Sequence, residues 1–300
     1  MLTEKIVKRA IGNLSRKIHL KVYGDQKMLE FVKRLSEIIP VDYEFETEFE
    51  KEMNLPAIEL KGYNLFFHAI PQYSELESFL LAIKMALEFD KKLEEKRAKV
   101  ITFVSPICPN CKFLLDSMNR IALKLGLEHH VVDVTIFPET AEKAGVQGVP
   151  TVFVDKMVFR GALNERGLER LIKLGLEGDY YEYMVHKLER GEIDDLKILV
   201  DKTETIVELI AHENFFVRLG AMALIENLQK NGKKISRKAK EKIIRLLEHE
   251  DRRIKEDAIM MLGIVGEKED LNLLENYLMD VNLSESAKEA IEMIREKYGY

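Results

Sequence analysis

Prolines divide this chain more sharply than any other feature. All seven (Pro40, Pro56, Pro71, Pro106, Pro109, Pro138 and Pro150) fall in the first 150 residues, and none follows Pro150. Proline lacks a backbone donor and clashes inside a helix, so the first half must be built of short elements while the second is free to run as helices. The periodicity agrees: strand and helix signals mix in the first half, and helical spacing without breakers fills the second. The boundary is expected near Gly178.

Lys99–Val104 (KVITFV) reads as a buried strand of β-branched and aromatic residues. A helix follows, with Leu114, Met118, Ile121 and Leu125 on one face. His130–Thr135 is a second strand and Glu139–Ala144 a short helix. Thr151–Val154 and Met157–Arg160 form a hairpin around Asp155-Lys156, and Asn164–Leu174 is a closing helix. The order is β-α-β-α-β-β-α. It recurs upstream in weaker form: strand His19–Tyr23, helix Lys27–Ile39, strand Tyr43–Thr47, hairpin Pro56–Leu60 with Leu65–Ile70, and a helix from Ser74 running into Lys91–Lys99. Pro56 and Pro150 open the two hairpins, and Pro56 is expected to be a vestigial counterpart of Pro150. From the first strand to that proline takes 33 residues in the first copy and 46 in the second. The extra length includes a turn that holds both cysteines.

The second half repeats on its own scale. Val217-x3-Ala221-x2-Leu224 returns 37 residues later as Ile254-x3-Ala258-x2-Met261, and more weakly as Ser286-x3-Ala290-x2-Met293. His212-Glu213-Asn214 and His249-Glu250-Asp251 precede the first two in the same phase, and both histidines are expected at surface turns or caps. Tyr180–Leu188 and Leu196–Ile210 are expected as the first helix pair. Paired helices repeating at about 35–45 residues describe an α-solenoid.

Charge narrows the partners. With 46 basic and 52 acidic residues the net charge is −6, too balanced to make nucleic acid or a membrane the main partner. Lys230–Lys242 carries seven basic residues, yet residues 181–300 hold 20 basic against 25 acidic. A solvated loop and helix face, with Ser236 as N-cap, is expected there. The longest apolar stretch, Phe79–Leu87, is interrupted by Lys84 and is far short of the ~20 residues of a spanning helix. The N-terminal MLTEKIVKRAIGNL lacks an apolar signal core, so a cytoplasmic location is expected. Abundant Lys and Glu with only four Gln resembles thermophile composition.

The only cysteines are Cys108 and Cys111. Two ligands do not close a tetrahedral zinc site and no histidine sits at finger spacing, so no metal is expected. A bridge across so small a loop adds little stability. Redox chemistry remains, or a ligand pair shared across a dimer. Pro109 suits the first helical position, which places Cys108 at a helix N-terminus where the dipole favours thiolate. Cys111, about one turn in, is expected to be less exposed and to resolve what Cys108 attacks. His129-His130 is expected as a loop-to-strand junction.

Cys108-Pro109-Asn110-Cys111 after a strand, with Gly148-Val149-Pro150-Thr151 opening a hairpin so that Pro150 stands 39 residues beyond Cys111, resembles the thioredoxin/glutaredoxin superfamily. The resemblance implies that Pro150 is cis and lies against the sulfurs. It implies that the Val149 backbone pairs with an extended substrate segment, and that Pro109 and Asn110 also face the substrate. The doubled unit resembles the glutaredoxin-like protein disulfide oxidoreductases, and the N-terminal domain of alkyl hydroperoxide reductase flavoproteins, where only the second unit carries CxxC. Many thioredoxins place a buried Asp six residues before the first cysteine; here that residue is Thr102, and Asp133 and Glu139 are the candidate proton acceptors.

The expectation is an α/β part plus an all-α part: two tandem thioredoxin-like folds (1–97 without CxxC, 98–177 with CPNC) followed by a HEAT-like helical solenoid (178–300). The expected activity is thiol–disulfide exchange with protein disulfides through Cys108 and Cys111. Its only redox group is their disulfide, and no other cofactor is expected. A flavin-dependent reductase or a peroxidase is the expected class of electron partner, and the repeats recruit a protein. Two further readings stay open: a redox-inert adaptor, and a glutaredoxin-like iron–sulfur carrier.

Overall fold

The computed structural model describes residues 2–47, 55–89, 98–161 and 163–299. The chain divides into two compact units, Met1–Glu177 and Gly178–Tyr300.

The first unit begins with helix α1 (Glu4–Ile11), capped by the Thr3 hydroxyl. The apolar alternation that follows gives strand β1 (Ile18–Tyr23). Asp25 then accepts from the Met28 N–H and starts helix α2 (Gln26–Ser36) almost at once. After it come β2 (Val41–Glu46), β3 (Ala57–Leu60), β4 (Leu65–His68) and helix α3 (Tyr73–Glu88). The expected continuation of α3 into Lys91–Lys99 lies outside the described residues as far as 97, and Lys99 itself begins the next strand.

That strand is β5 (Lys99–Val104). A six-residue loop, in place of the tight Gly24-Asp25 turn, leads to α4 (Cys111–Leu125), which Gly126 ends in the left-handed conformation. β6 (Glu128–Asp133), α5 (Pro138–Lys143), β7 (Thr151–Val154), β8 (Met157–Arg160) and α6 (Glu165–Leu176) complete the unit.

The strands form one eight-stranded sheet in the order β2-β1-β3-β4-β6-β5-β7-β8. In each half a parallel pair (β1 with β2, β5 with β6) is extended by an antiparallel hairpin. The halves meet where β4 runs parallel to β6, with Phe66 opposite His130 and His68 opposite Val132. Leu114, Met118 and Ile121 are buried on one side of α4, as their spacing predicts.

Two expectations fail at this seam. His129 and His130 are interior residues of β6, two residues earlier than the strand was expected to begin. Neighbouring polar groups make this possible. His129 Nε2 meets Thr102 Oγ1 at 2.7 Å on one face. On the other, His130 shares a proton with His68 (Nδ1 to Nε2, 2.8 Å), and its Nε2 faces Glu128 at 2.9 Å. His68 Nδ1 donates to the Pro56 carbonyl. Pro56 itself is not cis: among the described residues the one cis peptide is Val149–Pro150.

The second unit is helical: α7 (Tyr181–Glu189), α8 (Thr203–Glu208), α9 (Phe215–Lys230), α10 (Arg237–Leu246), α11 (Arg252–Val265), α12 (Leu271–Glu275) and α13 (Ser284–Tyr298). The expected helix Leu196–Ile210 is broken. A 3₁₀ segment (Ile193–Leu199) closes at Lys202, whose N–H returns to Leu199, before α8 begins. His212 and His249 do the same work one repeat apart. Each Nδ1 accepts the N–H of the residue two ahead, Asn214 or Asp251, whose side chain then caps α9 or α11. Ser236 caps α10 as expected. Val217, Ala221 and Leu224 are buried, as are Ile254, Ala258 and Met261. In α13 the buried stripe is Ala287, Ala290, Ile291 and Ile294, which leaves Met293 facing outward.

Candidate active site

β5 carries the chain to Ser105, whose carbonyl accepts the Cys108 N–H at 3.0 Å; the Cys108 carbonyl in turn accepts the Cys111 N–H at 3.3 Å. Pro109 and Asn110 are the exposed middle residues of that turn, and α4 starts at Cys111. The helix therefore begins two residues later than Pro109 predicts, which moves Cys108 just ahead of its first turn and Cys111 to its first residue. Both remain at the positive end of a fifteen-residue helix.

The two cysteines are joined in a disulfide, with Cα atoms 5.4 Å apart. Their exposures differ as attack and resolution require: Cys108 is half-buried, and Cys111 is 2% exposed. Cys108 Sγ lies 3.7 Å from the Val149 carbonyl oxygen. Val149 is joined to buried Pro150 by the cis peptide, and Thr151 Oγ1 donates to the Gly148 carbonyl at 2.7 Å, fixing the turn before β7. Residues 41 apart in sequence thus meet at one sulfur. Ile107 and Phe113, on either side of the pair, are 83% and 70% exposed.

Residues 98–173 match the family model of a thioredoxin domain. Among solved structures, the N-terminal domain of the alkylhydroperoxide reductase AhpF from Enterococcus faecalis is 21% identical, covers 57% of this chain and 100% of its own, and superposes with a TM-score of 0.47. A mutant AhpF from the same organism gives 20%, 56%, 96% and 0.45. Sso1120 from Sulfolobus solfataricus gives 16%, 51%, 96% and 0.39. Curated proteins give no match.

In this thioredoxin-like domain Thr102 is fully buried and bonded to His129, whose pKa burial pushes down to about 3. Asp133 is buried at the end of β6, where it accepts from the Thr135 N–H and hydroxyl. Glu139 is exposed in the first turn of α5, which removes it as a buried proton acceptor.

A buried carboxyl that the sequence reading missed lies within electrostatic reach of Asp133. Glu75, in the first turn of α3, is 4% exposed, and its Oε2 has no hydrogen-bond partner. Burial, with the Asp133 charge as the second cause, pushes its pKa up to about 8 against an opposing backbone hydrogen bond at Gln72. Its neighbour Ser74 donates to the carbonyl of Pro106, two residues before Cys108. The signal was present in the sequence: Glu75 shares the buried face of Phe79, Ala82 and Ala86 at helical spacing, where a solvated carboxylate does not belong. Among the described residues, no group of three or more His, Cys, Asp or Glu is placed to hold a metal.

Proposed function

We propose that the chain is a thiol–disulfide oxidoreductase acting on protein disulfides. The observation that carries this reading is the bonded pair itself: one sulfur half-open, one buried, at a helix start and against the cis Val149–Pro150 turn.

In the reduced form the Cys108 thiolate, favoured by the helix dipole, attacks one sulfur of a substrate disulfide. A mixed disulfide forms and the first substrate thiolate leaves. Cys111 then gives up its proton and attacks Cys108 Sγ, which closes the Cys108–Cys111 disulfide and releases the second thiolate. The substrate gains two electrons and the pair loses two. In the reverse direction Cys111 leaves as a thiolate and takes a proton. Glu75, protonated below about pH 8 when the pair is oxidised, is the group we assign to accept and return that proton. Val149 offers its backbone, and Pro109 and Asn110 their exposed turn, to an extended substrate. The apolar Ile107 and Phe113 suit a polypeptide more than a small thiol.

The finer architecture belongs to the same proposal. Residues 1–97 and 98–177 are two thioredoxin-like units, since each half repeats the same strand pairing, but only the second carries cysteines. Residues 178–300 are HEAT-like repeats that recruit a protein partner. The exposed Phe215, Phe216 and Leu219 of α9 support recruitment. A flavin-dependent reductase or a peroxidase is the class of electron partner that fits. No helix among the described residues is long and apolar enough to cross a membrane.

Insulin reduction under dithiothreitol tests the activity. Cys108→Ser should abolish it. Full activity in that variant refutes the assignment, and a brown dimer on anaerobic purification would favour the iron–sulfur reading instead.

A further inference from the structure

Among the described residues of the first unit, the three most exposed large apolar side chains are Ile107, Tyr73 (74% exposed) and Phe113; the next, Ile136, is 43% exposed. Ile107 and Phe113 flank the cysteines in sequence. Tyr73 comes from the half without cysteines, yet two contacts hold its helix end to the same place. Its neighbour Ser74 donates at 2.9 Å to the carbonyl of Pro106, the residue before Ile107. Glu77, one turn along from Tyr73 on the same face of α3, lies 3.8 Å from the ammonium of Lys112, the residue before Phe113. Single exposed apolar residues need no explanation, but several gathered together mark an interaction site.

The backbone at Tyr73 supports the same conclusion. Tyr73 has a φ of 44°, and Ala69, four residues earlier, a φ of 112°. Side chains other than glycine avoid this region, and a bulky residue persists there only where its surroundings impose it. Here they do. β4 ends at His68 and Pro71 is buried. The Gln72 carbonyl accepts the N–H groups of Glu75 at 2.9 Å and Leu76 at 3.2 Å, both buried residues. The turn is tied down on either side of Tyr73 while the ring is left in solvent. Strain of this kind collects at functional sites.

We propose that Tyr73, lent by the cysteine-free half, is a specificity-determining residue of the disulfide site: with Ile107 and Phe113 it receives a large apolar side chain of an extended polypeptide, two residues from the substrate cysteine. The proposal rests on the thiol–disulfide reading and adds no step to its chemistry. The spacing follows from the extended backbone that pairs with Val149: side chains alternate, so the residue sharing the cysteine's face is the second one along. The occupant is argued from continuity with the half-open sulfur of Cys108, which Ile107 adjoins. The charges nearest these side chains are already matched, since Lys112 pairs with Glu77 and with Asp116 at 2.8 Å. Tyrosine suits such a position because its ring offers apolar area while its hydroxyl stays in water.

The test measures how fast the reduced full-length protein is oxidised by two cyclic peptides, each closed by one disulfide and identical except for Phe or Ser two residues outside each cysteine. Wild type should react with the Phe peptide at least tenfold faster. In Tyr73→Asn that preference should fall at least fivefold, Asn being tolerant of the left-handed backbone; Tyr73→Phe should retain it. Bis(2-hydroxyethyl) disulfide, which has no apolar side chain to place, should react within twofold of wild type in both variants. An unchanged preference in Tyr73→Asn overturns the proposal, and so does an equal loss on the small disulfide, which would make the residue structural. A wild-type dimer that Tyr73→Asn dissociates in sedimentation also overturns it, since a second copy would then cover this face. If wild type reacts with no disulfide, the oxidoreductase reading falls and binding judges Tyr73 by itself. Its ring resonances in the oxidised protein should then shift on titration with the Phe peptide made linear by Ser in place of both cysteines, and not with its Ser counterpart; no shift overturns the proposal.

Discussion

The Ser74 hydroxyl donates a 2.9 Å hydrogen bond to the carbonyl oxygen of Pro106. One residue of the cysteine-free half thereby holds the loop that delivers the cysteines. Ser74→Ala leaves that carbonyl without its donor and should cost about 1 kcal/mol. Urea unfolding of the oxidised protein measures it; no change in midpoint would show that the bond contributes nothing.

Three buried groups contribute to the pH dependence of stability in opposite senses. His68 and His129 are held neutral by burial, with pKa values lowered from 6.5 to about 3. The stability they contribute is complete above pH 6.5 and is lost as pH falls towards 3. Glu75 works the other way: its pKa is raised from 4.5 to about 8, so its contribution is complete below pH 4.5 and is lost as pH rises through 8. Between pH 4.5 and 6.5 two protons gained by the unfolded histidines compete with one held by native Glu75. The two senses oppose each other across that window, with half-buried His186, its pKa also lowered by burial, on the histidine side.

Glu75→Gln isolates the carboxyl. The rise of stability from pH 4.5 to 6.5 should steepen, and the decline between pH 6.5 and 8 should flatten. Equilibrium unfolding of both proteins at half-unit steps from pH 5 to 8 checks this. Parallel curves would place the Glu75 proton outside the folding equilibrium.

In the helical unit, a Cβ added at Gly263 would stand 2.8 Å from the Ala290 Cα and 2.9 Å from its Cβ. Helix propensity alone makes Gly→Ala favourable by about 1 kcal/mol. The clash of α11 with the α13 backbone should reverse the sign, with a cost of about 1–3 kcal/mol. Thermal unfolding of Gly263→Ala should show a lower midpoint; a higher one would mean the helices are free to part.

Local pattern made much of this legible. Strand, CPNC turn, helix and Val-Pro hairpin follow from β-branched runs and breakers, and the resemblance to the thioredoxin/glutaredoxin superfamily implied that Pro150 lies against the sulfurs. What the sequence hid depends on partners far along the chain. His129 and His130 are polar and adjacent, so they look like a loop until Thr102, His68 and Glu128 arrive to satisfy them. Glu75 was legible, by contrast, as a carboxyl on the apolar helix face of Phe79, Ala82 and Ala86. Lys202 breaks the expected helix without a proline or glycine to announce it.

The central claim is that Cys108 attacks and Cys111 resolves. Mass spectrometry of the Cys111→Ser protein, reduced and then mixed with a disulfide-bonded protein substrate, tests this most directly. The account predicts one stable mixed disulfide at Cys108 and none with Cys108→Ser. An adduct that persists without Cys108, or no adduct at all while Cys108 is free, would contradict it.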